Sequence, residues 1–348
     1  MLLVMLHHYR FWLDAGWVGV QLFYVLSGFL ITRILRDARE GSTLRGYLTN
    51  FYVRRSLRIL PIYVALIAAF GAMYLATGQP GTFPRLLPWA ATYTLNFALA
   101  FGRVELNPLF AHLWSLSVEE QFYLVWPFVV WFLGPRALAR TALALAVLGP
   151  VGRFVALACG LGHESLYLLT TTHLDAFAIG AAVAIVDPAF VARPRRWVAG
   201  AFGVAAVLGG IVAIRNPGLG LSTFGYPYAL PIGLQATWGY SVLDLVAATV
   251  VLACDRGALP WLEHRILVAI GRISYGLYVF HRPLVTLLFR AEPRLTRFVP
   301  DALVREAILF GVYMVASLCV AWLSFHLFES RFLALKGRFA PRTDDRTT

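Results

Sequence analysis

The chain has 348 residues, of which 59% are hydrophobic and only 14% are charged, and its mean hydropathy is +0.69. This composition excludes a disordered protein and is typical of a polytopic membrane protein rather than a soluble one. The net charge is +12, and because the basic residues fall in short loops between apolar segments, this charge indicates membrane orientation rather than binding of nucleic acid.

Ten apolar segments are long enough, or nearly long enough, to cross a lipid bilayer as helices. The first segment would rise only about 18 Å as a helix, against roughly 30 Å of hydrocarbon, so we expect the reading frame to begin inside its first helix. In chain order the predicted spans are 1–12, 17–35, 58–77, 113–134, 141–159, 173–187, 197–214, 236–254, 266–288 and 306–328.

The distribution of charge decides how an eleventh apolar segment, 86–101, is interpreted. This segment is interrupted by Pro88 and Asn96. With ten spans and a cytoplasmic N-terminus the arginine-rich loops fall on the cytoplasmic side, whereas an eleventh span would place the loop ARPRRW, 192–197, outside. The sequence therefore predicts an all-α bundle of about ten transmembrane helices in the cell (inner) membrane. Both termini are expected to be cytoplasmic, and 86–101 is expected to be re-entrant or peripheral.

The stretch AHLWSLSVEEQFYLVWPF, 111–128, places ionisable side chains at membrane depth, where they are costly and are functional candidates. His112, Ser115 and Glu119 are spaced i, i+3 and i+7 and share one helix face, while Glu120 is rotated by about a quarter turn. A histidine and a carboxylate on one face can act as an acid/base pair. The alternative is a helix N-terminus at the interface, with Ser115 as the cap and the glutamates in the first turn. The spacing leaves both interpretations open.

Two adjacent histidines, His7 and His8, lie near the outer end of the first predicted span. An intramembrane histidine is a functional candidate, and an interfacial histidine beside aromatic residues is the alternative. Because neighbouring side chains on a helix point about 100° apart, only one of the two faces the bundle interior squarely.

Arginines are concentrated between the second and third predicted spans and end in the motif NFYVRRSLRILP. Arg54 and Arg58 are one helical turn apart and Arg55 is adjacent, which suits recognition of a polyphosphate at the membrane surface. Orientation of the chain and binding of anionic lipid headgroups require the same residues, and without further evidence this second interpretation is favoured.

Four further ionisable residues lie in or at the ends of predicted spans: His173, Asp175, Asp244 and His281. Each is interpreted as a structural polar group of the bundle slightly more readily than as a catalytic residue.

The sequence contains no metal-ligand cluster, no glycine-rich phosphate loop and no GxSxG motif. The three cysteines, Cys159, Cys254 and Cys319, lie in or beside apolar segments without metal-ligand spacing and are interpreted as core residues. We therefore expect no metal cofactor.

Taken together, these stretches resemble the acyltransferase 3 family of integral membrane O-acyltransferases. The matching motifs run in order along nearly the whole chain: VMLHHY, GWVGVQLFYVLSGFLITRIL, NFYVRRSLRILPIY, HLWSLSVEEQFYLVWP, THLDAFAIGA, GRISYGLYVFHRPL and FHLFESRF. The resemblance implies a membrane acyltransferase domain of about ten spans over 1–339. The remaining tail, 340–348, is polar and is expected to be disordered.

The resemblance also implies roles for individual residues. The family's first-helix histidine, the proposed general base, falls on His8. The family's arginines, associated with the CoA end, fall on Arg54, Arg55 and Arg58. The central block falls on His112, Trp114, Ser115, Glu119, Glu120, Gln121 and Tyr123. Ser27, Asp175 and His281 in the other blocks are added as supporting residues.

Three departures from the family pattern bear on the mechanism. A family arginine about eleven residues before the first-helix histidine has no counterpart in this chain. Gln21 stands where an acidic residue is usual, and His173 stands where arginine is frequent. If Gln21 replaces a carboxylate that orients the base, activity or choice of acceptor differs from that of the family.

The resulting hypothesis is an O-acyltransferase that moves an acyl group, most often acetyl, from acyl-CoA to a hydroxyl of a carbohydrate or glycolipid acceptor. His8 would deprotonate the acceptor, while Glu119 and His112 would orient the base or stabilise charge. Direct transfer is preferred, with Ser27 or Ser115 as the alternative covalent carrier. Lipopolysaccharide, exopolysaccharide, peptidoglycan, a glycolipid or an antibiotic sugar all fit as acceptors. Peptidoglycan is expected to be somewhat less favoured, because the sequence shows no extracytoplasmic hydrolase-like domain of the kind that longer members of the family carry. The oligomeric state is not predicted. A secondary transporter or a non-catalytic binding or assembly protein are the rival classes.

Overall fold

The computed structural model describes residues 1–10, 12–77, 83–105, 107–186 and 192–339. Over these ranges the chain is all-α, without strands. The predicted disordered tail, 340–348, lies outside the described residues. The helices are α1 Leu2–His8, α2 Val18–Arg39, α3 Leu44–Thr77, α4 Phe83–Ala91, α5 Leu95–Ala100, α6 Leu113–Phe132, α7 Pro135–Ala158, α8 His163–Leu168, α9 Leu174–Ile185, α10 Pro194–Arg215, α11 Gln235–Asp255, α12 Arg265–Arg272, α13 Ser274–Thr296, α14 Ala302–Ser324 and α15 Ser330–Ala334.

Each predicted span contains a helix, which confirms the all-α class. Within the described ranges, six helical segments are long and apolar enough to cross a membrane, and they contain α2, α3, α7, α10, α11 and α14. The other predicted spans fall on α1, α6, α9 and α13. Two of these, α1 and α9, have only 7 and 12 residues, while α6 and α13 carry many of the polar candidate residues. Helix length and apolarity therefore do not confirm the predicted count of about ten spans.

The interrupted segment 86–101 forms two short helices rather than one long helix. The longer of them, α4, has 9 residues and rises only about 14 Å, so neither α4 nor α5 alone is long enough to cross a bilayer. Asn96 on α5 is fully buried. Its amide donates to the carbonyl of Leu168 at 3.2 Å and accepts from Gln121 of α6 at 2.9 Å. The polar residue that interrupts the apolar pattern thus anchors this segment to the bundle.

Helix α2 lies at the centre of the bundle and packs closely against α9. A Cβ atom on Gly28 of α2 would lie 2.0 Å from the carbonyl oxygen of Phe177, and one on Gly180 of α9 would lie 2.0 Å from that of Val25. At each glycine the absence of a side chain therefore allows the backbone of the other helix to approach closely. This small-residue packing is common between membrane helices. This contact fixes the position of Ser27, the residue before Gly28.

The interpretation of the cysteines as core residues is wrong, because Cys159, Cys254 and Cys319 are all exposed. In a membrane bundle the outer surface is as apolar as the interior. Apolar neighbours in the sequence therefore do not distinguish a lipid-facing position from a core position.

The close contact between α2 and α9 predicts a strong effect of a small substitution. We expect Gly180→Ala to lower the free energy of unfolding by about 1–3 kcal/mol, because the added methyl group overlaps the α2 backbone. Unfolding by SDS titration in detergent micelles, followed by tryptophan fluorescence, measures the change. The matched control is Gly203→Ala on α10, where nothing lies within 4 Å of the new Cβ. This control should match or exceed the wild-type stability, and equal effects of the two variants would contradict the packing argument.

Candidate active site

A cavity of about 300 Å³ lies between α1, α2, α3, α6 and α13. It gathers most of the candidate residues that the sequence singles out, although they come from motifs far apart in the chain. The candidates among its lining residues are His8, Ser27, Arg55, Arg58, His112, Ser115, Glu119, Tyr123 and His281. Arg54, Glu120 and Asp175 are not among the lining residues.

The carboxylate of Glu119 is the centre of the polar network in this cavity. Its Oε1 atom accepts hydrogen bonds from the hydroxyls of Ser27 on α2 and Tyr123 on α6, and these hydroxyls lie 2.9 Å apart. Arg55 on α3 lies 3.4 Å from the same oxygen, and both charged side chains are 21% exposed. The Arg55 guanidinium also lies 3.9 Å from the centre of the Tyr123 ring, a cation–π distance. One carboxylate therefore joins α2, α3 and α6.

Cationic side chains line one end of the cavity. Arg55 and Arg58 are lining residues, while Arg54 is exposed and lies off the cavity. The buried Nε atom of Arg55 has no hydrogen-bond partner among the described residues. Lys336, in the segment after α15, interacts electrostatically with all three arginines. Lys336 was not a candidate from the sequence, because it follows the last predicted span and matches no motif. This end of the cavity is suited to an anionic ligand.

Three histidines line the other end of the cavity. Nδ1 of His8 lies 2.8 Å from Nε2 of His281, and the two rings stack with their centres 5.0 Å apart. The ring of His112 lies edge-on to His281, with centres 5.3 Å apart. His7 also lines the cavity, and its Nδ1 lies 2.8 Å from the Asp14 carbonyl oxygen.

The orientation of His112 follows from a proline in α13. Pro283 has no N–H group, so the carbonyl of Val279 four residues earlier lacks its usual helical donor. His112 Nε2 lies 3.2 Å from this carbonyl oxygen. Because a carbonyl oxygen can only accept, Nε2 of His112 carries a proton. Its Nδ1 atom is buried and has no hydrogen-bond partner among the described residues.

The structure distinguishes between the two interpretations of the 111–128 stretch. Helix α6 begins at Leu113 and has no acidic residue in its first turn, so the interpretation of Ser115 as an N-cap is wrong. The Ser115 hydroxyl donates to the carbonyl of His112 at 3.1 Å and lies 3.0 Å from the Tyr278 hydroxyl. The shared face places Ser115, Glu119 and His112 on one cavity. However, seven residues of helix separate Glu119 from His112 by about 10 Å, and their described hydrogen bonds run to different partners.

Two lining tyrosines, Tyr275 and Tyr278, were missed by the sequence analysis. Tyr275 donates to the Ile59 carbonyl at 2.8 Å and Tyr278 donates to the His112 carbonyl at 2.5 Å. Both hold α13 against neighbouring helices. Their spacing from His281, i, i+3 and i+6 in SYGLYVFH, places all three near one helix face and was the available signal.

Comparison with known proteins identifies the family of the chain that forms this cavity. The acyltransferase 3 family model, described as an acyltransferase domain, matches residues 1–326. The chain belongs to this acyltransferase family. The family expected from the motifs is thereby confirmed.

Two relatives of known name are similar over most of the chain. The chain is 27% identical to the peptidoglycan O-acetyltransferase OatA of Listeria monocytogenes, over 94% of the chain and 53% of that protein. It is 25% identical to the O-acetyltransferase OatA of Staphylococcus aureus, over 80% of the chain and 47% of that protein. The chain thus spans about half the length of these relatives. No solved structure matches it.

Two of the three departures from the family pattern, Gln21 and His173, are in contact with each other. Gln21 of α2 and His173, just before α9, are both buried. Gln21 Nε2 donates to His173 Nδ1 at 3.1 Å, and His173 Nε2 donates to the Tyr167 carbonyl at 2.8 Å. An acidic residue and an arginine at these two positions would form a charged pair. This chain replaces both partners with neutral hydrogen-bonding groups, so neither position leaves an unpaired charge.

Asp175 lies away from the cavity, in a buried ion pair with Arg153 of α7. Two hydrogen bonds, at 2.8 and 2.7 Å, join the guanidinium to the carboxylate, and neither side chain is exposed. Ser241 of α11 donates to the same carboxylate at 2.6 Å. The carboxylate oxygens of Asp244, also buried, have no hydrogen-bond partner among the described residues. Asp175 therefore joins α7, α9 and α11.

We expect Arg153→Met to lower the free energy of unfolding by about 3–5 kcal/mol, because it leaves a buried carboxylate without its counter-ion. The double variant Arg153→Met/Asp175→Leu should be closer to wild type than Arg153→Met alone, since it removes both partners of the pair. SDS titration in micelles measures both. Wild-type stability of Arg153→Met would contradict the assignment of this pair as a structural link.

Proposed function

We propose that the chain is a membrane-embedded O-acyltransferase that moves an acyl group, acetyl in the first instance, from acyl-CoA to a hydroxyl of a cell-wall carbohydrate. The observation that carries the proposal is that arginines and histidines line one cavity, with the Arg55 guanidinium 3.9 Å from the centre of the Tyr123 ring. Along α6, His112 and Tyr123 are eleven residues apart, which corresponds to about 16 Å. A donor with an anionic head and a long, thin pantetheine arm fits this separation of charge from base.

The acceptor class rests on the relatives. Both are O-acetyltransferases by name, and the Listeria protein is named for peptidoglycan. Peptidoglycan or another cell-wall carbohydrate is accordingly the proposed acceptor.

The proposed topology has about ten spans, in which the predicted spans that contain α6 and α13, and the short helices α1 and α9 together with the residues that flank them, are added to the six apolar segments. Both termini are then cytoplasmic, the arginine end of the cavity opens toward the cytoplasm, and the histidine end lies toward the outer side. The donor would enter from the side where it is made, and the acceptor from the side where cell-wall carbohydrate lies. The positive-inside rule supports this orientation.

In the proposed reaction, Arg55 and Arg58 hold the donor phosphates, and Arg54 with Lys336 adds positive charge at the entrance. His8 removes the proton from the acceptor hydroxyl, whose oxygen attacks the thioester carbonyl carbon. The carbon–sulfur bond then breaks, and the CoA thiolate takes the proton from His8. Glu119 keeps Arg55 in the cavity by pairing with it.

Direct transfer is preferred over an acyl-enzyme because of where the serine hydroxyls point. The Ser27 hydroxyl donates to the Glu119 carboxylate, and the Ser115 hydroxyl donates to a backbone carbonyl. A serine nucleophile needs a base that takes its proton, and neither serine donates to a histidine ring in these contacts.

The test of the donor site is acetyl-CoA binding to the detergent-purified protein by calorimetry. We expect Arg55→Gln/Arg58→Gln to weaken binding at least about tenfold, because each charge-assisted hydrogen bond contributes about 1.5–3 kcal/mol. Arg54→Gln should have a smaller effect, since Arg54 does not line the cavity. The matched control is Arg140→Gln on α7, an exposed arginine away from the cavity, which should bind acetyl-CoA as wild type does.

The same preparations test the chemistry. We expect His8→Ala to retain acetyl-CoA binding and to lose acetyl transfer to muropeptide or cell-wall oligosaccharide by at least about 100-fold, the contribution of a general base. Undiminished transfer by His8→Ala would refute the role of His8. No acetyl-CoA binding by the well-folded wild type would favour a transporter or a non-catalytic binding protein.

Two native cysteines test the topology. Cys159 directly follows α7 on the proposed outer side, Cys254 lies at the end of α11 on the proposed cytoplasmic side, and both are exposed. We expect a membrane-impermeant maleimide to label Cys159, but not Cys254, in intact cells. Cys159→Ser and Cys254→Ser variants assign the signals, and permeabilised cells should label both. Labelling of Cys254 in intact cells would contradict the proposed orientation.

A further inference from the structure

The hydrogen bonds of His281 define which of its ring nitrogens carries a proton. Its Nδ1 atom lies 2.7 Å from the carbonyl oxygen of Tyr278 and 3.0 Å from that of Leu277, both in the preceding turn of α13. Carbonyl oxygens accept hydrogen bonds and cannot donate them, so Nδ1 of His281 carries a proton.

The other nitrogen of His281 is then the acceptor for His8. The His281 side chain is fully buried, its described hydrogen bonds include no carboxylate, and the next residue is the cation Arg282. A second proton on His281 would bury an unpaired positive charge, which is costly. In the neutral ring Nε2 has a lone pair, and it lies 2.8 Å from Nδ1 of His8.

We propose that His281 is a positioning residue that holds His8 in the tautomer with its proton on Nδ1, so that Nε2 of His8 is the basic nitrogen. His8 lines the cavity, and no hydrogen bond of its Nε2 atom is found within the part of the chain that the structure describes. The inference rests on the proposed role of His8 as the general base. It gives His281 the place that a carboxylate occupies beside the catalytic histidine of other enzymes.

This chain of hydrogen bonds starts from the backbone of α13. The helix holds the proton on Nδ1 of His281, the neutral His281 ring presents Nε2, and His8 donates to it. Without this partner the proton of neutral His8 can lie on either nitrogen, and only one of the two forms has the proposed basic nitrogen. His281 therefore acts on the reaction through His8.

Nitrogen-15 NMR of the purified protein in nanodiscs, with labelled histidine, measures the tautomers directly, since protonated and unprotonated ring nitrogens have well-separated shifts. Subtracting the spectrum of His8→Phe identifies the His8 signals. We expect wild-type His8 to carry its proton on Nδ1, and His281→Phe, which keeps an aromatic ring but removes the acceptor, to give a mixture. A wild-type His8 that carries its proton on Nε2 would overturn the inference.

The kinetic test separates positioning from folding. Losing the group that fixes the tautomer of a catalytic histidine costs up to about 10⁴ in kcat, so we expect His281→Phe to lower kcat at least about tenfold with an unchanged Kd for acetyl-CoA. His281→Gln, whose amide oxygen can accept from His8, should recover much of the lost kcat. The control is His326→Gln, an exposed histidine outside the cavity, which should behave as wild type. Wild-type kcat in His281→Phe would overturn the inference.

The two readouts keep this inference distinguishable from the proposed function. The tautomer is measured without turnover, so a wild-type protein that shows Nδ1-protonated His8 but transfers no acetyl group would refute the proposed function and support the arrangement of His281 and His8. If His281→Phe does not fold, the wild-type spectrum and His281→Gln still decide the question.

Discussion

The geometry of the cavity depends on how the Glu119 carboxylate satisfies its charge. A carboxylate removed from water needs hydrogen-bond donors or a cation, because an unpaired buried charge costs several kcal/mol. Glu119 meets this need with a hydroxyl from α2, a hydroxyl from its own helix and a guanidinium from α3. This constraint brings Arg55 inward, while the adjacent Arg54 stays exposed. The Ser27 hydroxyl is also engaged, because it donates a hydrogen bond to Glu119.

The histidine end is held by a different part of the fold. Buried side chains of α1, α13 and α14, among them Met5, Leu277 and Tyr313, form a hydrophobic cluster apart from the larger one around α2. This cluster places α1 against α13, so that His8 meets His281. Within α13, Pro283 frees one carbonyl for His112, and two other carbonyls hold His281. Backbone carbonyls of α13 therefore determine which ring nitrogen carries the proton in His112 and in His281.

The Gln21–His173 contact shows how a family pattern can change without disruption. Changing only one member of a charged pair leaves a buried, unpaired charge, which is strongly destabilising. In this chain both members are neutral and hydrogen-bonded to each other. The pair links α2 to the start of α9, close to where Gly28 and Gly180 bring the two helices together. The departure that the sequence analysis connected with orientation of the base is, in the structure, part of the packing of α2 on α9.

The sequence by itself determined the all-α membrane class, the family and the nine candidate residues that line the cavity, because hydrophobic runs and ordered motifs are local properties of the chain. It also favoured separation of 86–101 from the spanning helices, because Pro88 and Asn96 interrupt the apolar run and because an eleventh span would place the arginines of 192–197 outside. Only the tertiary structure decided which residues are partners: Glu119 with Arg55, Gln21 with His173, Asp175 with Arg153, and His8 with His281. These pairs join residues from 22 to 273 positions apart, and helix periodicity assigns a residue to a face without naming the helix that covers it. Likewise, the exposed cysteines could not be recognised from sequence, because lipid and protein interior are equally apolar surroundings.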